Sequence, residues 1–194
     1  MSQRPEFADS AIVSAPPELS PGERRLLLGI AHQAIAAALE GRPFEVTPPN
    51  PHLMEKRGAF TTLHLAGALR GCIGYVLSTQ PLYRTVAETA RSAAFDDPRF
   101  QPVSPEEAPE LKIEISVLSP VLSIDPEDVV VGKHGLVVIQ GSRRGLLLPQ
   151  VPVEWGWDRE MFLTQTSLKA GLAPDAWRQG AELQAFTAEV FGEE

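Results

Sequence analysis

The residues able to do chemistry gather in one short stretch of the chain. Thr62, His64, Arg70 and Cys72 lie close together, with Gly71 and Gly74 on either side of the cysteine. Cys72 is the chain's single cysteine, so neither an internal disulfide framework nor a cysteine-only zinc site is open to it. A thiol near a guanidinium and an imidazole suits a nucleophile, because positive charge favours the thiolate and imidazole carries protons. The flanking glycines let a second backbone or a ligand approach closely. The competing reading is a buried cysteine acting as a small hydrophobe, with glycines placed there for a bulge.

A hairpin must position these groups. Residues 60–65 and 69–76 read as its two strands. If Leu63, Leu65, Leu69 and Ile73 share the buried face, the loop is Ala66-Gly67-Ala68 and Leu65 pairs with Leu69. His64 then faces Arg70 and Thr62 faces Cys72. Phe60, Thr62, His64, Arg70, Cys72 and Gly74 share the second face, with His64 diagonal to Cys72.

Other candidates lie further along. Glu114 sits on the non-apolar face of a strand over 111–118, where it could serve as a general base or bind an amine, or simply stay solvated or paired with arginine. Asp97 and Arg99 flank Pro98 after a helix end and read as a stop with a local ion pair. Arg143 and Arg144 occupy a tight turn; a guanidinium there can clamp an anion or stand as exposed turn charge. Lys169 complements a helix dipole. Trp155, Trp157 and Trp177 read as packing anchors. His32, His52 and His134 are scattered without metal-ligand spacing, so no metal site is expected. No glycine-rich phosphate loop is present.

The chain has 194 residues, 18 of them proline, and a net charge of −8, which disfavours a nucleic-acid partner. Ser20-Pro21-Gly22-Glu23 forms a capping box, opening a helix that runs to Gly41. A second helix covers 81–95 with Ser78 or Thr79 as cap, and a third covers 158–170, closed by Gly171. Residues 135–140 and 145–148 form another hairpin, and 183–191 a closing strand. Interspersed helices and hairpins imply an α+β fold with a mixed, largely antiparallel sheet packed against helices. Proline-rich stretches at 43–51 and 98–109 separate a larger from a smaller lobe. Residues 1–19 read as a loose, flexible N-terminal arm, and 20–194 as one domain. No signal peptide and no long apolar run is visible, which points to a cytoplasmic protein without a membrane partner.

Leu69-Arg70-Gly71-Cys72-Ile73-Gly74 resembles the signature hexapeptide of the AMMECR family, the AmmeMemoRadiSam system protein A. Ala93-Ala94-Phe95-Asp96-Asp97-Pro98-Arg99-Phe100, Glu114-Ile115-Ser116-Val117-Leu118-Ser119-Pro120 and Gly145-Leu146-Leu147-Leu148-Pro149-Gln150-Val151 are similar to later blocks of that family, as are Lys169-Ala170-Gly171-Leu172 and Asp175-Ala176-Trp177. The blocks run in the expected order from about residue 26 to 191. The resemblance implies an α+β fold with a larger and a smaller part, and partners among Memo-like and radical SAM proteins of a shared modification pathway. It names no reaction and no cofactor. It puts the functional site at the hexapeptide. His64 lies outside the family pattern, and Ser167 stands where the family often carries a second cysteine, which argues against a two-cysteine mechanism. Two readings follow. In one, Cys72 is a nucleophile or thiol carrier, Arg70 lowers its pKa or holds an anion, and Glu114 or His64 moves protons, with Gly71, Gly74, Thr62 and Arg143 in binding roles. In the other, the chain is a scaffold and the hexapeptide is a structural turn.

Overall fold

A computed structural model describes residues 18–193. The arm proposed for 1–19 therefore falls almost wholly outside the described residues. Helix α1 (Pro21–Leu39) begins as its capping box dictates: the Ser20 hydroxyl accepts the Glu23 N–H, and the Glu23 carboxylate accepts the Ser20 N–H at 2.8 Å. Its inner stripe of Leu27, Ile30, Ala31, Ala34 and Ile35 is buried.

Strands β1 (Ala59–Leu65), β2 (Ala68–Tyr75), β3 (Lys112–Leu118) and β8 (Ala188–Gly192) form a sheet in the order β2-β1-β3-β8. Every pairing in it is antiparallel. Helices α1 and α2 (Leu82–Phe95) cover one face, and their apolar residues merge with Ala59, Leu63, Ile113, Ile115 and Val117 in the main core. Thr61 and Thr89 satisfy each other's buried hydroxyls at 2.8 Å across this interface. The start of α2 differs from the expected capping. Pro81 is its N-cap, and the Ser78 hydroxyl instead pairs with Thr85 Oγ1 at 2.7 Å.

A second antiparallel sheet, ordered β4-β7-β5-β6, contains β4 (Leu122–Ser123), β5 (Gly135–Gln140), β6 (Arg143–Leu147) and β7 (Glu182–Phe186). Helix α4 (Arg159–Lys169), capped by Asp158, packs on it through Phe162 and Leu163, and the short α3 (Gln150–Glu154) precedes it. The fold is thus α+β with a larger and a smaller part, in two sheets. The tail is two strands, because the chain leaves the second sheet at Thr187 and enters the first. It crosses beside the Ser119 segment, and two bonds of 2.9 Å tie the crossings together: Ser119 N–H to Thr187 C=O, and Thr187 N–H to Ser119 Oγ. Leu118, Val137 and Phe186, with Phe60 and Val76 against them, form a third apolar cluster joining the sheets.

Candidate functional site

The first hairpin holds the expected register only as far as Leu63. Thr62 faces Cys72, Phe60 faces Gly74 and Leu63 faces Gly71, but beyond them the ladder slips and His64 faces Leu69. Arg70 is therefore the extra residue of a β-bulge, not the partner of His64. The turn is Ala66-Gly67 rather than three residues, with φ of 51° and 81°, the pattern of a two-residue hairpin turn that matches strand twist. Leu69 consequently moves off the core face and is exposed. The hexapeptide is a bulged strand and not a turn.

Side chains alternate across the sheet, so Gly71, Ile73, Thr61 and Leu63 face the helices while Thr62, Cys72, Gly74 and Glu114 face away. Thr62 is the centre of a row: its Cα partners are Cys72 on one side and Glu114 on the other. All three are half-buried. The Thr62 hydroxyl donates to Cys72 Sγ at 3.3 Å. This closeness has a backbone cause. β2 is an edge strand, and the N–H and C=O of Cys72 both turn outward. They meet Asp97 Oδ2 at 2.9 Å and the Arg99 guanidinium at 3.3 Å. Thr62 and Cys72 are therefore a non-hydrogen-bonded pair, the kind in which facing side chains approach most closely.

Asp97 sits at the hub. Besides the Cys72 N–H, it accepts the Arg99 N–H at 3.1 Å, Arg99 Nε at 3.0 Å and Nη2 at 2.7 Å. Its side chain is 2% exposed and that of Arg99 is 55% exposed, so the anion lies beneath and the cation above. Arg99 foremost, with the Cys72 and Arg99 backbone N–H groups, holds the Asp97 carboxyl well below the usual range despite burial. Asp97 in turn raises the Arg99 pKa, with smaller contributions from the Cys72 side chain. The sequence showed this ion pair; its reach back to residue 72 is a tertiary contact without a local signal.

Arg70 points elsewhere. Its guanidinium binds Glu107 at 2.9 and 3.0 Å and the carbonyls of Gln101 and Pro102 at 2.9 and 3.3 Å. That partnership lowers the Glu107 pKa to about 2 and raises that of Arg70. The arginine beside Cys72 is thus Arg99, and Arg70 pins the 101–107 loop to the sheet edge. The glycines are explained by fit. A Cβ at position 71 would lie 2.1 Å from the Ala93 carbonyl oxygen, and one at 74 would lie 2.2 Å from the Phe60 ring. His64 is half-buried between Leu69 and Lys112 in register. Arg143 belongs to β6 in the second sheet, where it binds the Gly171 carbonyl at 2.8 Å, away from the Cys72 row. A surface groove of about 570 Å³ also lies apart from the row, between α1 and α2 beside Phe44 and Val46. The Cys72 row is accordingly a half-buried strip on the sheet face rather than part of that groove. Among the described residues no helix is long and apolar enough to cross a membrane.

Comparison with known proteins identifies the family and the fold. Residues 28–191 match the AMMECR1 family model. The chain is 50% identical over 164 residues to a protein of Thermococcus gammatolerans, covering 78% of this chain and 79% of that one. It is 47% identical over 184 residues to protein MK0488 of Methanopyrus kandleri, covering 89% of each. The crystal structure of protein PH0010 from Pyrococcus horikoshii superposes with a TM-score of 0.70 at 44% identity, over 87% of this chain and 90% of that one. A strand that carries the chain's only thiol between two glycines, just past a β-bulge, and is held at its edge by an aspartate–arginine clamp, is thus set in a chain that belongs to the AMMECR1 family.

Proposed function

We propose that the chain acts through Cys72, as a thiol site in a modification pathway shared with Memo-like and radical SAM proteins. The observation that carries this reading is the Cys72–Thr62–Glu114 row on the sheet face turned away from the helices. Cys72 is the nucleophile or thiol carrier. The Thr62 hydroxyl, already donating to the sulfur, steadies a thiolate there. Glu114, one strand beyond, accepts a proton or holds a substrate amine. Gly71 and Gly74 keep the strand flat against its neighbours, and Arg70 braces the adjoining loop. His64 borders the row, and Arg143 sits in the second sheet, bound to the Gly171 carbonyl.

Cys72→Ser tests this. The variant folds as the parent does, because the change removes no apolar packing of consequence, and pathway output is lost. The parent chain takes up a thiol-alkylating reagent in the absence of denaturant. Retained output, or labelling only after unfolding, overturns the reading. A second reading, a scaffold whose hexapeptide is purely structural, draws on the glycine contacts with Ala93 and Phe60. It requires Cys72→Ser to keep both partner binding and output.

A further inference from the structure

We propose that the surface beside Cys72 receives an oxyanion group of the substrate, a carboxylate or phosphate, on the Arg99 guanidinium, and that Asp97 is the residue positioning that guanidinium. The inference rests on the Cys72 reading above and names its substrate class.

Three observations converge. First, the Asp97–Arg99 pair has polarity with respect to solvent. The carboxylate is 2% exposed and the guanidinium 55%, so an approaching ligand meets the positive member. Second, the guanidinium is fixed in direction. Nε and Nη2 are both taken by Asp97, and Nη2 also reaches the Cys72 carbonyl. No partner takes Nη1 among the described residues, which leaves its two N–H groups to donate to an oxygen of a carboxylate or phosphate. Third, the same carboxylate that aims Arg99 accepts the Cys72 N–H. One buried group thus sets the spacing between thiol and cation, and a substrate anchored on Arg99 would present a neighbouring carbon to the sulfur. The plainer account is that Asp97 and Arg99 merely occupy the unpaired edge of β2 against strand-to-strand aggregation. That role needs no selectivity among small molecules.

The two are separated by alkylating the full chain with iodoacetate, which is anionic, and with iodoacetamide, which is neutral and of nearly the same size. In each reaction the Cys72 thiolate forms a carbon–sulfur bond and iodide leaves with the carbon–iodine electron pair. Since the chain has one cysteine, incorporated label reports Cys72 alone. The iodoacetate-to-iodoacetamide rate ratio is referred to the urea-unfolded chain. At low salt the folded chain should exceed that reference by roughly three- to tenfold, and the excess should fade as salt screens it. Arg99→Gln should return the ratio to the reference. Asp97→Asn, checked by circular dichroism for an intact fold, removes a neighbouring negative charge, which alone would raise the ratio, so the fall expected from a misaimed guanidinium reads positioning and not charge. Where a single variant fails to fold, the double change Asp97→Asn/Arg99→Gln removes both charges together and should also return the ratio to the reference. A folded chain alkylated by both reagents at the reference ratio overturns the oxyanion inference and leaves the thiol site standing. A raised ratio that survives Arg99→Gln, or the double change, overturns the assignment to Arg99. A raised ratio left intact or increased by Asp97→Asn overturns the positioning role of Asp97. Labelling by neither reagent until urea is added overturns the thiol reading and this inference with it.

Discussion

Gly71 shows how sharply a single position is specified. The strand crosses the last turn of α2 so closely that only a hydrogen fits between Gly71 Cα and the Ala93 carbonyl oxygen. Gly71→Ala must shift strand or helix backbone, and we expect it to destabilise the fold by about 1–3 kcal/mol, read by chemical denaturation. The carboxylates carry a second expectation. The pKa of Glu107 is lowered to about 2, chiefly by Arg70, and that of Glu23 to about 2, chiefly by its bonds with Ser20. A carboxyl whose folded pKa lies below its ordinary value of 4.5 stabilises the fold above that value and ceases to do so as pH falls towards 2. Stability should accordingly drop between about pH 4.5 and pH 2, and Glu107→Gln should flatten part of that drop in denaturation series run across this range.

At the level of elements, what could be read in advance depended on how local the cause was. The opening of α1 was legible because Ser20, Pro21 and Glu23 act on one another within a single turn. The shared face of Thr62 and Cys72 was legible because alternation and their pairing follow from strand geometry, whereas the place of Glu114 beside Thr62 comes from the pairing of β1 with β3, strands almost fifty residues apart in sequence. The bulge was not. It reconciles the two-residue turn with the Thr62–Cys72 register, and its extra residue, Arg70, is held by Glu107 and the Gln101 and Pro102 carbonyls, groups more than thirty residues away. The tail read as one strand because its alternation continues across Thr187, where the chain changes sheets. α3 is five residues with Pro152 inside it, too short to show a period. The hairpin turn yields a test of its own. Ala66 is the sole non-glycine residue at positive φ among the described residues, and left-handed backbone costs alanine about 1 kcal/mol. Ala66→Asn creates the Asn-Gly pair that such turns favour, and it should raise stability by roughly 0.5–1 kcal/mol, seen as a higher denaturation midpoint with unchanged slope.

For the molecule as a whole, the joint between the sheets is apolar and small. Phe186 fills it from the second sheet, and Gly135 is lodged so near its ring that a Cβ there would lie 2.2 Å away. Phe186→Ala should cost about 3–5 kcal/mol. Because the cluster couples both sheets, the parent chain should unfold in one transition, and the variant should show two in calorimetry as the halves lose their common filling.

The close seat of Gly71 also bears on how the hexapeptide can vary among relatives. Steric exclusion at 71 and 74 would keep glycine in both places even in a descendant that had lost every reaction. The sulfur is under no such compulsion: its surroundings are half open, and a serine or alanine would fit. Persistence of the glycines therefore testifies to architecture alone, whereas a natural chain bearing another residue at 72 would mark a lineage that had abandoned the chemistry and kept the shape.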